Sequence, residues 1–250
     1  MAVPARVLAA GLAACAVAAV LAYCSSGTSA VISRPDAEPG LADLVRSMQS
    51  AVREASSVRV GGQLTQNGTV LSVDLGLRRN GDMTGVIIQD GAPAQIVAVA
   101  GRIYVQATPG FLRQVQAPGG SCAAVCGRWI QLTLAEAERV TGDLSMTNFM
   151  GPLTSGQIAM LTENGSTTVQ GQSAWVLRAA DGGTLDVSAG SQHYPLEATG
   201  GGSSPQVVRY SQWNRVPPPA TPPASRFLTS GGASMMAGLA VPTLAAASGT

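Results

Sequence analysis

Lysine is absent from the 250 residues, and histidine occurs once, as His193. Without an ε-ammonium group the chain cannot build a phosphate-gripping Walker loop, a Schiff-base amine, a Ser-x-x-Lys acylase or the strand lysine of a kinase. A single histidine excludes His-Glu-x-x-His metal sites and obliges any Ser-His-Asp triad to use His193, for which no Gly-x-Ser-x-Gly elbow supplies a serine. Charge is scarce as well: 12% of residues are charged and the formal net charge is +1. That leaves no basic field for nucleic acid and no acidic block for a basic partner. These absences together predict a protein that is not an enzyme, needs no cofactor or metal, and does not bind nucleic acid. The remaining titratable groups have structural explanations: Asp181 and Asp186 flank a Gly-Gly hairpin, Glu136 and Glu138 belong to a helix cap, and His193 precedes Tyr194-Pro195 at a solvated turn.

What is present begins with an export signal. Residues Met1 to Ala30 hold a positive n-region at Arg6, an uncharged run from Val7 to Tyr23, and small polar residues from Ser25 to Ala30. The run of about 17 residues is short for a transmembrane helix of about 20 and long for a signal-peptide core. Two cysteines lie in it. Cys15 follows Leu12-Ala13-Ala14, the better lipobox, but is followed by more apolar sequence; Cys24 follows Leu21-Ala22-Tyr23 and leads into Ser25-Ser26-Gly27. Cleavage before Cys24 leaves no odd thiol, so Cys24 is the expected acylated residue, with Cys15, an uncleaved helix, or a product cut after Ala30 as alternatives. This reading predicts a lipoprotein signal peptide over 1–24, an anchor in the outer leaflet of the cytoplasmic membrane, and a Ser/Pro/Gly-rich tether over 25–40 that reaches roughly 50 Å when extended. In an exported protein, Cys122 and Cys126 in a Gly/Ala-rich loop read as a small disulfide.

Leu41, Leu44, Val45, Met48, Val52 and Ala55 share one helical face. The period then becomes two, in runs over 58–65, 69–77, 83–89, 95–100 and 102–107, with turns at Gln66-Asn67-Gly68, Asn80-Gly81-Asp82, Asp90-Gly91-Ala92 and Ala100-Gly101. Thr133-Leu134-Ala135-Glu136 is a capping box that opens a helical insert. Alternation returns over 166–170, 173–179, 184–188, 194–199 and 206–213, with Asn164-Gly165, Gln170-Gly171-Gln172 and Asp181-Gly182-Gly183 as turns. Trp129, Trp175 and Trp213 fall on predicted strands and read as core anchors. Val216 to Pro223 should end the sheet, and residues 229–250 form a Gly/Ala-rich tail with the character of disorder.

That order of elements, with Ala51 to Val60 entering the first strand, Val99-Ala100-Gly101-Arg102-Ile103-Tyr104-Val105, Gly127-Arg128-Trp129-Ile130 and Tyr210-Ser211-Gln212-Trp213-Asn214, resembles the actinobacterial LppX/LprA/LprF/LprG lipoproteins and the wider LolA-like group. The resemblance covers about residues 41–228. It implies an α+β fold in which a strongly curved antiparallel sheet, a half barrel, has helices over its concave side and encloses an apolar cavity for lipid or a lipidated glycan. The place of the central insert in that family's order makes Leu144, Met146, Phe149, Met150, Ile158 and Leu161 candidates of which several face the mouth of that cavity; the competing reading is that they plug the concave face. Two functions follow: a lipid-binding or lipid-shuttling envelope lipoprotein, or an envelope interaction or sensor module with a filled core.

Overall fold

The computed structural model describes residues 40–66, 69–114, 126–135, 137–138, 144–201, 206–224 and 227. Cys15, Cys24 and Cys122, the tether up to Pro39 and the tail fall outside them. The described residues belong to the unit Pro39–Thr250.

The chain opens with α1 (Leu41–Glu54), whose Leu44, Val45, Met48 and Val52 are buried as the helical spacing requires. Asp43 in its first turn and Arg53 in its last complement the helix dipole. Its end is capped from elsewhere: Arg79 donates from Nε to the Ala55 carbonyl at 2.8 Å and from Nη2 to the Val52 carbonyl at 3.0 Å. Two antiparallel meanders follow. The first is β1 (Ser57–Gln66), β2 (Thr69–Arg78), β3 (Met83–Gln89), β4 (Ala92–Val99), β5 (Arg102–Ala107) and β6 (Ile130–Gln131). The second is β7 (Thr162–Val169), β8 (Gln172–Arg178), β9 (Thr184–Ser188), β10 (Pro195–Thr199) and β11 (Val207–Ser211).

Strand order across the sheet is β6-β5-β4-β3-β2-β1-β11-β10-β9-β8-β7, so the meanders join where β1 pairs with β11 and the two edges are β6 and β7. The fold is α+β, a curved and unclosed antiparallel sheet with helices on one face. This topology dictates where the central insert goes. Eleven flat strands at about 4.8 Å spacing would hold β6 and β7 about 48 Å apart, so the connection between them must cross the sheet. It crosses on the apolar face, carrying α3 (Met146–Thr154) and a 3₁₀ turn over Gly156–Met160. A shorter α2 (Pro109–Gln114) follows β5.

The inner face is built by strict alternation. Leu71, Val73, Leu75 and Leu77 of β2 are between 0% and 4% exposed. They join Val58, Val60, Ile87, Ile96, Ile103 and Val105 in one cluster with α1 and α3. Each such side chain contributes about 1.5–3 kcal/mol on burial. The outer face carries ion pairs instead, Arg59 with Asp74 at 2.6 Å and Arg209 with Glu197 at 2.7 Å. A second small cluster of Val97, Tyr104 and Trp129 lies apart from the main core, and Phe227 stacks on Tyr104 with ring centroids 5.2 Å apart. Val216, which opens the proline-dense segment, sits close enough to Gly76 that a Cβ there would meet its Cγ1 at 2.7 Å.

Several local expectations change. Asn164-Gly165 is not a turn: it lies within β7, where the register shifts between Glu163 and Ser166 and Gly165 takes φ 88°, a bulge. Ala92 and Pro93 belong to β4, so the preceding turn is Asp90-Gly91 alone. Trp213 lies past the end of β11, and Trp129 makes an isolated bridge to Phe227. Gln66 pairs with Thr69, which leaves Asn67 and Gly68 for the first hairpin connection; those two residues fall outside the described set.

Candidate functional site

The candidate site is where the helical cover meets the inner sheet face. Ser145 caps α3, its side chain accepting from the Asn148 N–H at 3.2 Å. Gln49 of α1 donates to the Ser155 carbonyl at 3.3 Å and ties the two helices together at one end. Leu144, Met146, Phe149, Met150 and Ile158 are all between 1% and 8% exposed and belong to the main cluster; Leu161 is half-buried against it. The insert residues picked out from sequence are thus brought together on one side of the sheet. Between α1 and α3 runs a cleft of about 130 Å³, floored by Val52, Met146 and Met150 and rimmed by Arg53, Arg79 and Thr154.

The cover is unequal. Val58 and Val60 of β1, Leu71, Val73, Leu75 and Leu77 of β2, Ile103 and Val105 of β5, and Leu177, Leu185 and Val187 of the second meander are 4% exposed or less. On the second meander, Trp175, Ala198 and Val208 pack against the same cluster yet are half-buried, as are Tyr194 and Leu161 beside them. Trp175 Nε1 is itself inaccessible and has no hydrogen-bond acceptor among the described residues. Its neighbour by register, Val187, is 0% exposed, so the indole stands on the inner face. A buried N–H without an acceptor is costly, and such groups in native proteins ordinarily have a reason. Ser57 is the one buried polar residue among the described core positions, and its hydroxyl accepts from the Val216 N–H at 3.2 Å. Burial pushes the Tyr210 hydroxyl far above its ordinary pKa and keeps it neutral.

A second hollow of about 190 Å³ lies at the ends of β9 and β11. Tyr194 and Trp213 stack there with centroids 4.7 Å apart and planes 7° from parallel. The Trp213 indole donates to the Pro195 carbonyl at 3.0 Å, and Asn214 donates to the Tyr194 hydroxyl at 2.8 Å. His193 is half-buried rather than solvated, with Nδ1 3.0 Å from the Ser188 carbonyl oxygen. Sequence periodicity missed this hollow because its residues are gathered from the ends of four strands and the turns that follow β9 and β11. Among the described residues no group of three His, Cys, Asp or Glu side chains is placed to hold a metal, and no helix is long and apolar enough to cross a membrane. Cys126 packs against the main cluster.

No protein-family model matches the chain, and no curated protein does. Among solved structures it is similar to the Mycobacterium tuberculosis lipoprotein LppX, with 17% identity and a TM-score of 0.45 over 74% of this chain and 99% of that one. It is also similar to MucB, with 16% identity and a TM-score of 0.31 over 76% of this chain. In the Pseudomonas aeruginosa MucA/MucB complex the identity is 15% and the TM-score 0.32 over 78% of this chain. The chain spans 62% of the length of the MucB chain in both cases.

Proposed function

We propose that the protein is a non-enzymatic binding module held on the extracytoplasmic side of the membrane by an acylated Cys24, with Cys15 as the alternative, and that its ligand is a lipid or lipidated glycan whose acyl chains lie on the inner sheet face. The observation that carries this reading is that Trp175, Ala198 and Val208 of the second meander pack against the core cluster yet are only half-buried. An apolar sheet face needs a cover, and a face covered incompletely by its own helices has room for an apolar ligand. The methionines of the cover support it, since Met48, Met146 and Met150 are flexible enough to repack around a chain of varied shape.

A second reading, an interaction or sensor module with a filled core, is favoured by the near-complete burial of Leu144, Met146, Phe149 and Met150. Mutation separates the two. If the insert is a movable cover, Met146→Glu in the full-length protein lowers the lipid recovered per protein and leaves a cooperative melt. If it is a plug, the same change unfolds the domain, because an unpaired buried charge costs several kcal/mol. A folded wild type that carries no lipid out of its own membranes, by native mass spectrometry, would sink the lipid reading. Cys24→Ala should release the protein from the membrane fraction or leave a precursor; the same result from Cys15→Ala alone would move the anchor to Cys15.

A further inference from the structure

The hollow at the ends of β9 and β11 is backed by Leu196, Tyr210 and Trp213, the last two of them members of the main core, but its rim has a different chemistry. Gln172, Gln192, Gln212 and Arg215 are exposed around it, and the side chains of all four make no hydrogen bond to another described residue. Tyr194, half-exposed and stiffened from behind by Trp213, supplies a flat aromatic wall. No acidic side chain lines the hollow, and Arg215 is its one charged group.

The backbone around it is held in costly conformations. Six described non-glycine residues have positive φ. Three of them, Asp90, Ala100 and Gln170, each precede a glycine that also has positive φ, the signature of a two-residue hairpin turn. The other three, His193 at 45°, Gln212 at 51° and Asn214 at 59°, precede no glycine and all fall in the two segments that wall the hollow. Side-chain bonds hold two of them in place: His193 to the Ser188 carbonyl, and Asn214 to Tyr194 and to the Ser56 N–H at 2.6 Å. Gln212 opens a turn in which its carbonyl accepts from the Arg215 N–H at 2.9 Å, and its side-chain amide makes no hydrogen bond to another described residue. Strain concentrated and locked at one place is a mark of a built site.

We propose that this hollow binds one saccharide unit. Planar amides offer a donor beside an acceptor and a guanidinium offers paired donors, both suited to neighbouring hydroxyls, and an aromatic face takes the C–H face of a pyranose ring. Its volume of about 190 Å³ is below the roughly 300–1,000 Å³ of pockets for larger organic ligands, which fits a single ring and disfavours a folded peptide segment. No carboxylate lines the hollow to hold a cation. This inference stands apart from the lipid reading and would survive its failure.

The test is calorimetric titration of the full-length protein with the methyl glycosides of glucose, galactose, mannose, arabinose and N-acetylglucosamine, with a Gly-Ser-Gly peptide as comparison. At least one glycoside should bind saturably. Gln192→Ala and Arg215→Ala, both exposed positions that leave the core intact, should each raise its Kd about tenfold, the loss of a good hydrogen bond. Gln131→Ala, exposed on the far edge strand β6, should leave the Kd unchanged. Failure of every glycoside to bind, equal affinity in the two hollow variants, or tighter binding of the peptide overturns the proposal.

Discussion

Asp186 on β9 stands opposite Glu197 on β10, two carboxylates paired across neighbouring strands. Arg209 satisfies Glu197 at 2.7 Å. The Asp186 carboxylate has no hydrogen bond or ion pair among the described residues, and burial first and the Glu197 charge second raise its pKa. A carboxyl whose folded pKa lies above its unfolded one favours folding when protonated, so its contribution is present below the ordinary carboxylate pKa and is lost as pH rises through the raised value. At neutral pH, Asp186→Asn is therefore expected to raise the melting temperature. In acid, below the ordinary carboxylate pKa, the two proteins should melt together. A gain of the same size at every pH would show that charge is not the cause.

Arg79 acts on α1 from outside it. Its two bonds to the Val52 and Ala55 carbonyls take up acceptors that the helix end leaves open, with a positive charge where the dipole is negative. Arg79→Ala should destabilise the domain by about 1–2 kcal/mol, the usual range for hydrogen bonds from a charged donor at a partly exposed site. Arg79→Lys should recover less than half, since one ammonium does not reproduce the two-point fork. Denaturant melts measure both, and a loss below a few tenths of a kcal/mol would show that water replaces the cap.

Period-two alternation over 69–77 located β2 and its buried face, because a one-sided sheet leaves little freedom in which residues turn inward. The helical spacing from Leu41 located α1 for the same reason. Pairing between meanders was not legible: β1 lies beside β11 through contacts more than a hundred residues apart, and no local pattern encodes them. Two local signals bear on features that periodicity does not locate. Thr108-Pro109 opens α2, where the Thr108 hydroxyl accepts from the Phe111 N–H at 3.3 Å and proline takes the first helical position. Asn164-Gly165 satisfies a bulge as well as a turn, since both require positive φ at glycine. The polar hollow drew no attention in the sequence because glutamines in turns are ordinary surface residues until the backbone gathers them.

Cys122 and Cys126 are expected to form a disulfide in protein taken from the envelope. In the chain-entropy account a 15-residue loop is stabilised by about 3 kcal/mol, and this shorter loop gains less. Thiol blocking without reduction, followed by mass spectrometry, should leave both residues unmodified, and adding reductant should lower the melting temperature only slightly. Alkylation of either cysteine in the unreduced protein would end the assignment.

Trp175 gives the sharpest test of whether a ligand reaches the inner face. Its Nε1 is buried without an acceptor among the described residues, and an unmet buried donor costs about 1–3 kcal/mol. In delipidated protein, Trp175→Phe removes the donor and keeps most of the aromatic volume, so the melting temperature should hold or rise. If the ester or hydroxyl oxygen of a bound lipid supplies the missing acceptor, the same substitution should lower the lipid recovered per protein from the native membrane. The two measurements read different states of one side chain and separate the possible failures. A lower melting temperature in the delipidated variant would mean that the indole is satisfied within the folded chain, and unchanged lipid recovery would mean that the ligand does not contact Nε1. Stability held or raised with lipid recovery lowered would place a lipid oxygen within hydrogen-bond reach of Trp175.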